Sequence, residues 1–149
     1  MLYEKGGIPI MKKWTGYQKG VNLGGWLSQC WHAKEHYETF ITKADIKKIA
    51  GWGLDHVRLP IDYNLVEEEN GIYKEEGFAY IQRAIDWCSE CNLNIILDLH
   101  KTAGYSFDDG EQEQGFFEDG QYQERFYRLW EEFARRFGQY KKMPAFELL

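Results

Sequence analysis

Three sets of residues in this sequence have the types and spacing that chemistry needs. The first lies inside two apolar runs, DHVRLPI and NIILDLH, where Arg58, Asp98 and His100 alternate with Val57, Leu59, Ile61, Ile95, Leu97 and Leu99. Side chains alternate faces along a strand, so a cation, a carboxylate and an imidazole share one face and could orient a polar ligand there. If buried, they must be hydrogen-bonded. The second set is HAKEH, His32 to His36, which satisfies the H-x-x-E-H pattern of inverted zinc peptidases. Those enzymes need both histidines on a helix face and a distant acidic ligand. Here the motif falls in a loop between the first strand and the first helix, so no metal site is expected. The third is Cys88-Ser89-Glu90-Cys91. A redox pair belongs at the start of a helix after a strand, where the dipole lowers the thiol pKa. This one lies near the end of an apolar-periodic helix, so redox chemistry is not expected either. GVNLGG has neither the G-x-G-x-x-G spacing nor a P-loop lysine, and no cofactor is implied.

The elements that must hold these residues alternate strand with helix from Gly20 onward. KGVNLGG reads as a short strand, and ITKADIKKIAGWG as a helix with Thr42 as N-cap and Asp45 three residues on. DHVRLPI is the second strand. EGFAYIQRAIDWCSEC then places Phe78, Ile81, Ile85 and Cys88 on one helical face. NIILDLH, too continuously apolar for a strand wetted on either side, is the third strand. QYQERFYRLWEEFARRFGQY follows as the longest helix, with Tyr122, Phe126, Leu129, Trp130, Phe133 and Phe137 as its buried stripe. Glu124 with Arg128, Glu131 with Arg135 and Glu132 with Arg136 lie four apart on its wet side. AFELL is the fourth strand.

A strand–helix repeat folds by right-handed crossovers into a parallel sheet. An open doubly wound sheet and part of an eight-stranded β/α barrel both fit, and the face carrying Arg58, Asp98 and His100 favours the barrel. An open sheet covered by helices on both sides calls for apolar residues on both faces. A barrel interior crowned by a site calls for this asymmetry.

At 149 residues, 44% hydrophobic and 28% charged, the chain is an ordinary globular one. A net charge of −6 without a basic run argues against nucleic acid. The sequence has neither a membrane-length apolar stretch nor a signal-peptide pattern, and its three cysteines are too few for a disulfide framework, so a cytoplasmic location is expected. MLYEKGGIPI shows no periodicity, and the codons of Lys5, Gly6 and Gly7 can spell a ribosome-binding site before Met11. Residues 1–10 are therefore read as a non-structural leader and 11–149 as the domain.

GVNLGGW, DHVRLPIDY, NIILDLHKTAGYSF, FFEDGQYQERFYRLWEEFARRF and AFELL, in this order, resemble the N-terminal half of a glycoside hydrolase family 5 enzyme of the cellulase, endo-β-1,4-glucanase type. The resemblance implies an α/β fold: the first half, about four strands and three helices, of a (β/α)8 TIM barrel with parallel strands, truncated after strand four. It implies a retaining hydrolase of β-linked glucans, which uses two carboxylates ~5–5.5 Å apart. In the family an Asn-Glu pair directly follows a segment like AFELL, its glutamate being the acid/base, and the nucleophile lies on strand seven. Both fall beyond Leu149, so the chain is expected to contain no catalytic residue and to be inactive alone.

What the resemblance leaves in this chain is half of a sugar site. Arg58 matches the family's strand-two arginine, which hydrogen-bonds the nucleophile, and His100 matches the strand-three histidine that contacts the sugar. The residues alone leave another reading open, in which Arg58 merely pairs with Asp98 or Glu147 because buried charges require partners. Asp98 is read as orienting its neighbours. Lys101 stands where close relatives can carry a second histidine. Glucans also stack on aromatic rings, and Trp26, Trp31, Tyr63, Tyr105 and Phe107 fall in loops at the site end, where packing a loop down is the alternative role. Trp52, Trp87 and Trp130 belong to helices and are read as core. A β-glucan or oligosaccharide is the expected partner. A half-ring would leave open sheet edges, so a non-catalytic glucan-binding half-barrel that self-associates is the alternative function.

Overall fold

In the computed structural model, residues 15–107, 113–140 and 145–148 are described, so the expected leader at 1–10 lies outside the described residues. The chain runs β1 (Gly20–Asn22), α1 (Lys34–Thr39), α2 (Lys43–Gly51), β2 (His56–Asp62), α3 (Tyr63–Val66), α4 (Glu75–Glu90), β3 (Asn94–Thr102), β4 (Tyr105–Ser106), α5 (Gly120–Phe137) and β5 (Ala145–Glu147). Strands β1, β2, β3 and β5 pair in that order, all parallel, and the two-residue β4 pairs antiparallel with the end of β3. This is the strand order and sense of half a β/α barrel.

The two faces of the sheet divide as the alternation requires. Val57, Leu59, Ile61, Ile95, Leu97 and Leu99 are all fully buried under the helices. Each such side chain contributes about 1.5–3 kcal/mol relative to exposure. On the opposite face His56, Arg58, Asn94, Ile96 and His100 are only partly buried, as the lining of an incomplete ring would be. Pro60 lies inside β2, a central strand, where a missing N–H normally breaks the ladder. The Arg58 carbonyl accepts from Leu23 N–H and the Asp62 N–H donates to the Leu27 carbonyl, so the Pro60 nitrogen points to the same side, between those two contacts. There the chain has already left β1 and turned through residues 24–26, so β1 does not extend opposite Pro60.

The helices follow from local sequence. In α2 the Asp45 carboxylate accepts from both the Thr42 N–H (3.0 Å) and the Thr42 hydroxyl (2.7 Å), closing the expected N-terminal box. The α4 face of Phe78, Ile81, Ile85 and Cys88 is buried, as are Leu129, Phe133 and Phe137 of α5. Gly77 allows α4 to touch α3, since a Cβ there would stand 2.0 Å from the Leu65 carbonyl oxygen. Gly104, at φ +80°, makes the two-residue turn from β3 into β4, and a Cβ would strike the Tyr122 ring.

Four expectations about the helices need correction. Arg135 pairs with Glu132 rather than Glu131, because Glu132 also draws Arg136 and gathers both guanidiniums on one side of the helix. Trp52 is 69% exposed rather than core. It caps α2, and the Ile46/Ile49 phase does not continue once the helix ends. HAKEH is not wholly loop, since Lys34–Thr39 forms α1. Beyond the three expected helices, α1 and α3 are additional short ones.

Candidate active site

Register sets the site. Asn22 lies beside Arg58 across β1 and β2, and Asp98 lies beside both Pro60 and Glu147 across β2, β3 and β5. Parity therefore puts Asn22, Arg58, Asp98, His100 and Glu147 on the inner face. Arg58 reaches along the barrel to meet the others. Its Nε and Nη2 donate to the two Glu147 carboxylate oxygens at 2.8 and 3.0 Å, and Nη1 donates to Asn22 Oδ1 at 2.9 Å. Nη2 also lies 2.6 Å from Asp98 Oδ2, and that same oxygen is 3.1 Å from His100 Nδ1. Arg58 and His100 thus stand on one side of the sheet, joined through a single carboxylate oxygen. The pairing that the residues left open is observed with both Asp98 and Glu147.

The two carboxylates differ in environment. The Asp98 side chain is 3% exposed and that of Glu147 43%. Burial pushes Asp98 above the usual carboxylate range, with Arg58 pulling the other way and the Glu147 charge adding to the rise. The hydrogen bonds from Arg58 hold Glu147 below its ordinary value, and those to Glu147 raise Arg58 further. The cluster is a cation braced by two anions, with one imidazole attached.

Around it the aromatic candidates separate. Trp26 is a correction: it is fully buried, its indole N–H donates to the Tyr37 carbonyl at 2.9 Å, and its ring lies 3° from parallel with Trp87 at 6.2 Å. A ring enclosed by α1 and α4 residues cannot receive a sugar. Trp31, in the same loop, is 85% exposed. Tyr63 is half-buried, its hydroxyl donating to Glu113 at 2.7 Å and its ring under the Arg125 guanidinium. With Lys101, Glu113, Tyr122 and Arg125 it lines a polar cavity of about 500 Å³. Burial, and then the Glu113 hydrogen bond, raise the Tyr63 phenol well above its usual pKa.

Phe107 is brought to the cluster, and Tyr105 stands behind it. Phe107 lies 6.3 Å from the His100 ring and 5.0 Å from Tyr105, centroid to centroid. Tyr105 continues into Phe116 and Phe117, and these rings with Phe126, Tyr127 and Leu148 border a mostly apolar cavity of about 450 Å³. Phe116 and Phe117 were missed as candidates, as was Asn22, although inward parity along GVN was a usable signal for the latter.

The residues of the other two motifs are engaged elsewhere in the fold. His32 Nδ1 is 2.7 Å from the Tyr37 hydroxyl and Nε2 is 3.1 Å from Asp62, while His36 Nε2 lies 2.7 Å from the Gly25 carbonyl. The two histidines of HAKEH serve different partners, and among the described residues no group of three or more His, Cys, Asp or Glu could hold a metal ion. Burial pushes the Cys88 thiol up to about 12, opposite to the shift a redox thiol needs. Among the described residues no helix is long and apolar enough to cross a membrane.

Half a parallel β/α ring, with a charged cluster and an aromatic wall toward the C-terminal strand ends, defines a barrel of the kind that places its ligands there. Comparison with known proteins is specific about which kind. The family model for cellulase, glycosyl hydrolase family 5, matches residues 12–149, and the chain belongs to that family. It is 52% identical over 139 residues to cellodextrinase A of Ruminococcus flavefaciens, covering 93% of this chain and 41% of that protein. It is 45% identical over 138 residues to endoglucanase C of Acetivibrio thermocellus, covering 91% and 40%. The chain thus spans about 40% of the length of these relatives. A glycoside hydrolase crystal structure superimposes at TM-score 0.72 with 27% identity, covering 86% of this chain and 39% of that one. A trimodular endoglucanase of subfamily GH5_4 shares the fold at TM-score 0.66 and 24% identity, covering 86% and 24%.

Proposed function

We propose that the chain is the N-terminal, substrate-binding portion of a retaining hydrolase of β-linked glucans, and that this portion alone does not hydrolyse them. The observation that carries the reading is the junction of Arg58 and His100 through Asp98 on the inner face of a family 5 half-barrel. Cellodextrinase and endoglucanase, the names of the relatives, support a β-glucan as ligand. In this reading His100 meets a sugar hydroxyl, Tyr105 and Phe107 offer ring faces beside it, and Arg58 stands ready to hold the nucleophile ionised. Retaining hydrolysis needs one carboxylate to attack the anomeric carbon and another to protonate the leaving oxygen. Glu147 is not taken as either, because Arg58 holds both its oxygens. The acid/base and nucleophilic glutamates belong to segments that follow residue 149 in a complete barrel.

The test is reducing-sugar release from carboxymethyl cellulose and lichenan by the purified 149-residue chain. No release above a buffer blank is expected, and turnover by the chain overturns the reading. An Asn-Glu codon pair directly after codon 149 in the source DNA is the matching genetic expectation. One observation favours a second reading for the isolated polypeptide: β1 and β5 each have a neighbouring strand on one side only among the described residues. A self-associated, glucan-binding half-barrel would sediment as a dimer or larger, and a monomer by analytical ultracentrifugation removes that reading.

A further inference from the structure

His100 carries one hydrogen bond among the described residues, from its Nδ1 side to Asp98 Oδ2 at 3.1 Å. The Asp98 carboxylate is buried beneath it and lies against the Arg58 guanidinium at 2.6 Å. The Asp98 oxygen that faces His100 is the one set against the Arg58 guanidinium, which can only donate, so that oxygen acts as an acceptor and any proton on the carboxyl belongs to the other oxygen. The nitrogen facing Asp98 must therefore carry the proton. A neutral imidazole has a single N–H, so its other nitrogen is left with a bare lone pair. His100 Nε2 has no hydrogen-bond partner among the described residues, and the side chain is partly exposed on the inner face beside Phe107.

We propose that Asp98 is a positioning residue that holds His100 as the Nδ1–H tautomer, so that the site presents Nε2 as an acceptor and reads the facing saccharide hydroxyl as a donor. The saccharide half of this statement rests on the proposed function; the tautomer half does not. A hydroxyl replaced by fluorine or by a methyl ether at that position has no hydrogen to give and loses the contact. The opposite tautomer would donate and would tolerate both replacements. One oxygen serves both neighbours, since the contacts to Arg58 and His100 both go to Oδ2. An asparagine can place its carbonyl oxygen there and keep the His100 contact, whereas alanine cannot.

The experiment is a long-range ¹⁵N–¹H correlation spectrum of the ¹⁵N-histidine-labelled 149-residue chain at pH 7.5, with His100 assigned by loss of its signals in His100→Gln. A pyrrole-type Nδ1 and a pyridine-type Nε2 are expected. Asp98→Ala is expected to lose this pattern toward the Nε2–H form, and Asp98→Asn to retain it. A pyridine-type Nδ1 in the unsubstituted chain overturns the proposal, as does a pattern unchanged in Asp98→Ala. Should the alanine variant fail to fold, the parent and Asp98→Asn spectra still decide. Titration with cellotetraose separates the two halves: a shift of the Nε2 signal supports the saccharide contact. The expected tautomer with no response to the sugar overturns that contact and supports the role of Asp98 alone.

Discussion

Replacing Arg58 with methionine tests the physical core of the site. The substitution keeps the unbranched stem and removes the charge, leaving Asp98 and Glu147 as two anions in one place. Breaking a fully buried ion pair costs about 3–5 kcal/mol, and an exposed one about 0–1. Glu147, 43% exposed, can turn to water, while Asp98, 3% exposed, cannot. Asp98 keeps the His100 N–H, which trims its penalty. A loss of roughly 2–3 kcal/mol at pH 7.5 is therefore expected, almost all of it from Asp98. The sign with pH follows. Asp98 is already raised by burial, and without Arg58 its folded-state pKa climbs further above the unfolded value. The folded variant then gains a proton more readily than the unfolded one, so the deficit shrinks as pH falls. The assay is urea unfolding followed by tryptophan fluorescence at pH 7.5 and 5.5, with Arg58→Met/Asp98→Leu as the partner variant. That double variant has no stranded anion and should recover to within about 1 kcal/mol of the parent. A single variant within about 0.5 kcal/mol of the parent refutes the reasoning, as does an equal loss at both pH values.

Trp26→Ala should cost about 3–5 kcal/mol in the same unfolding assay, because a fully enclosed indole leaves a large cavity. Trp31→Ala, four-fifths or more exposed, should stay within about 0.5 kcal/mol. Thr42→Ala removes the hydroxyl that bonds Asp45 at the start of α2 and should cost about 1 kcal/mol. Asp55 and Glu132 are each held at about 2, chiefly by hydrogen bonds from His56 and from Arg135 respectively. Their folded values are depressed, so their contribution is complete above the unfolded values near ~4 and is lost as pH falls toward 2. Melting temperature should accordingly drop between about pH 4 and pH 2, and a flat profile there contradicts the two ion-pair clusters.

The division of the sheet into a greasy and a polar face was readable in DHVRLPI and NIILDLH, because a strand's period of two is a property of consecutive residues. The same holds for the Thr42–Asp45 box and for the stripes of α4 and α5, whose signals span three or four positions. Family membership was legible for a related reason, since five ordered blocks surround the residues that line the site. The fates of Trp26 and Trp31 were not legible. They sit five apart in a loop without period, and only the cover provided by Tyr37 and Trp87 makes one core and the other surface. Strand β4, at two residues, is too short to carry a pattern. Partner choice was hidden in the same way: Arg136 reaches Glu75 of α4, and His32 reaches Asp62 thirty positions away. At the site itself, the residue types allowed Arg58 to take Asp98 or Glu147. The register that sets Asp98 beside Glu147 gave it both and attached His100 to the same oxygen. Periodicity is written locally along the chain, whereas register and cover arise only when distant segments pack, and the assembly of this cluster depends on the second.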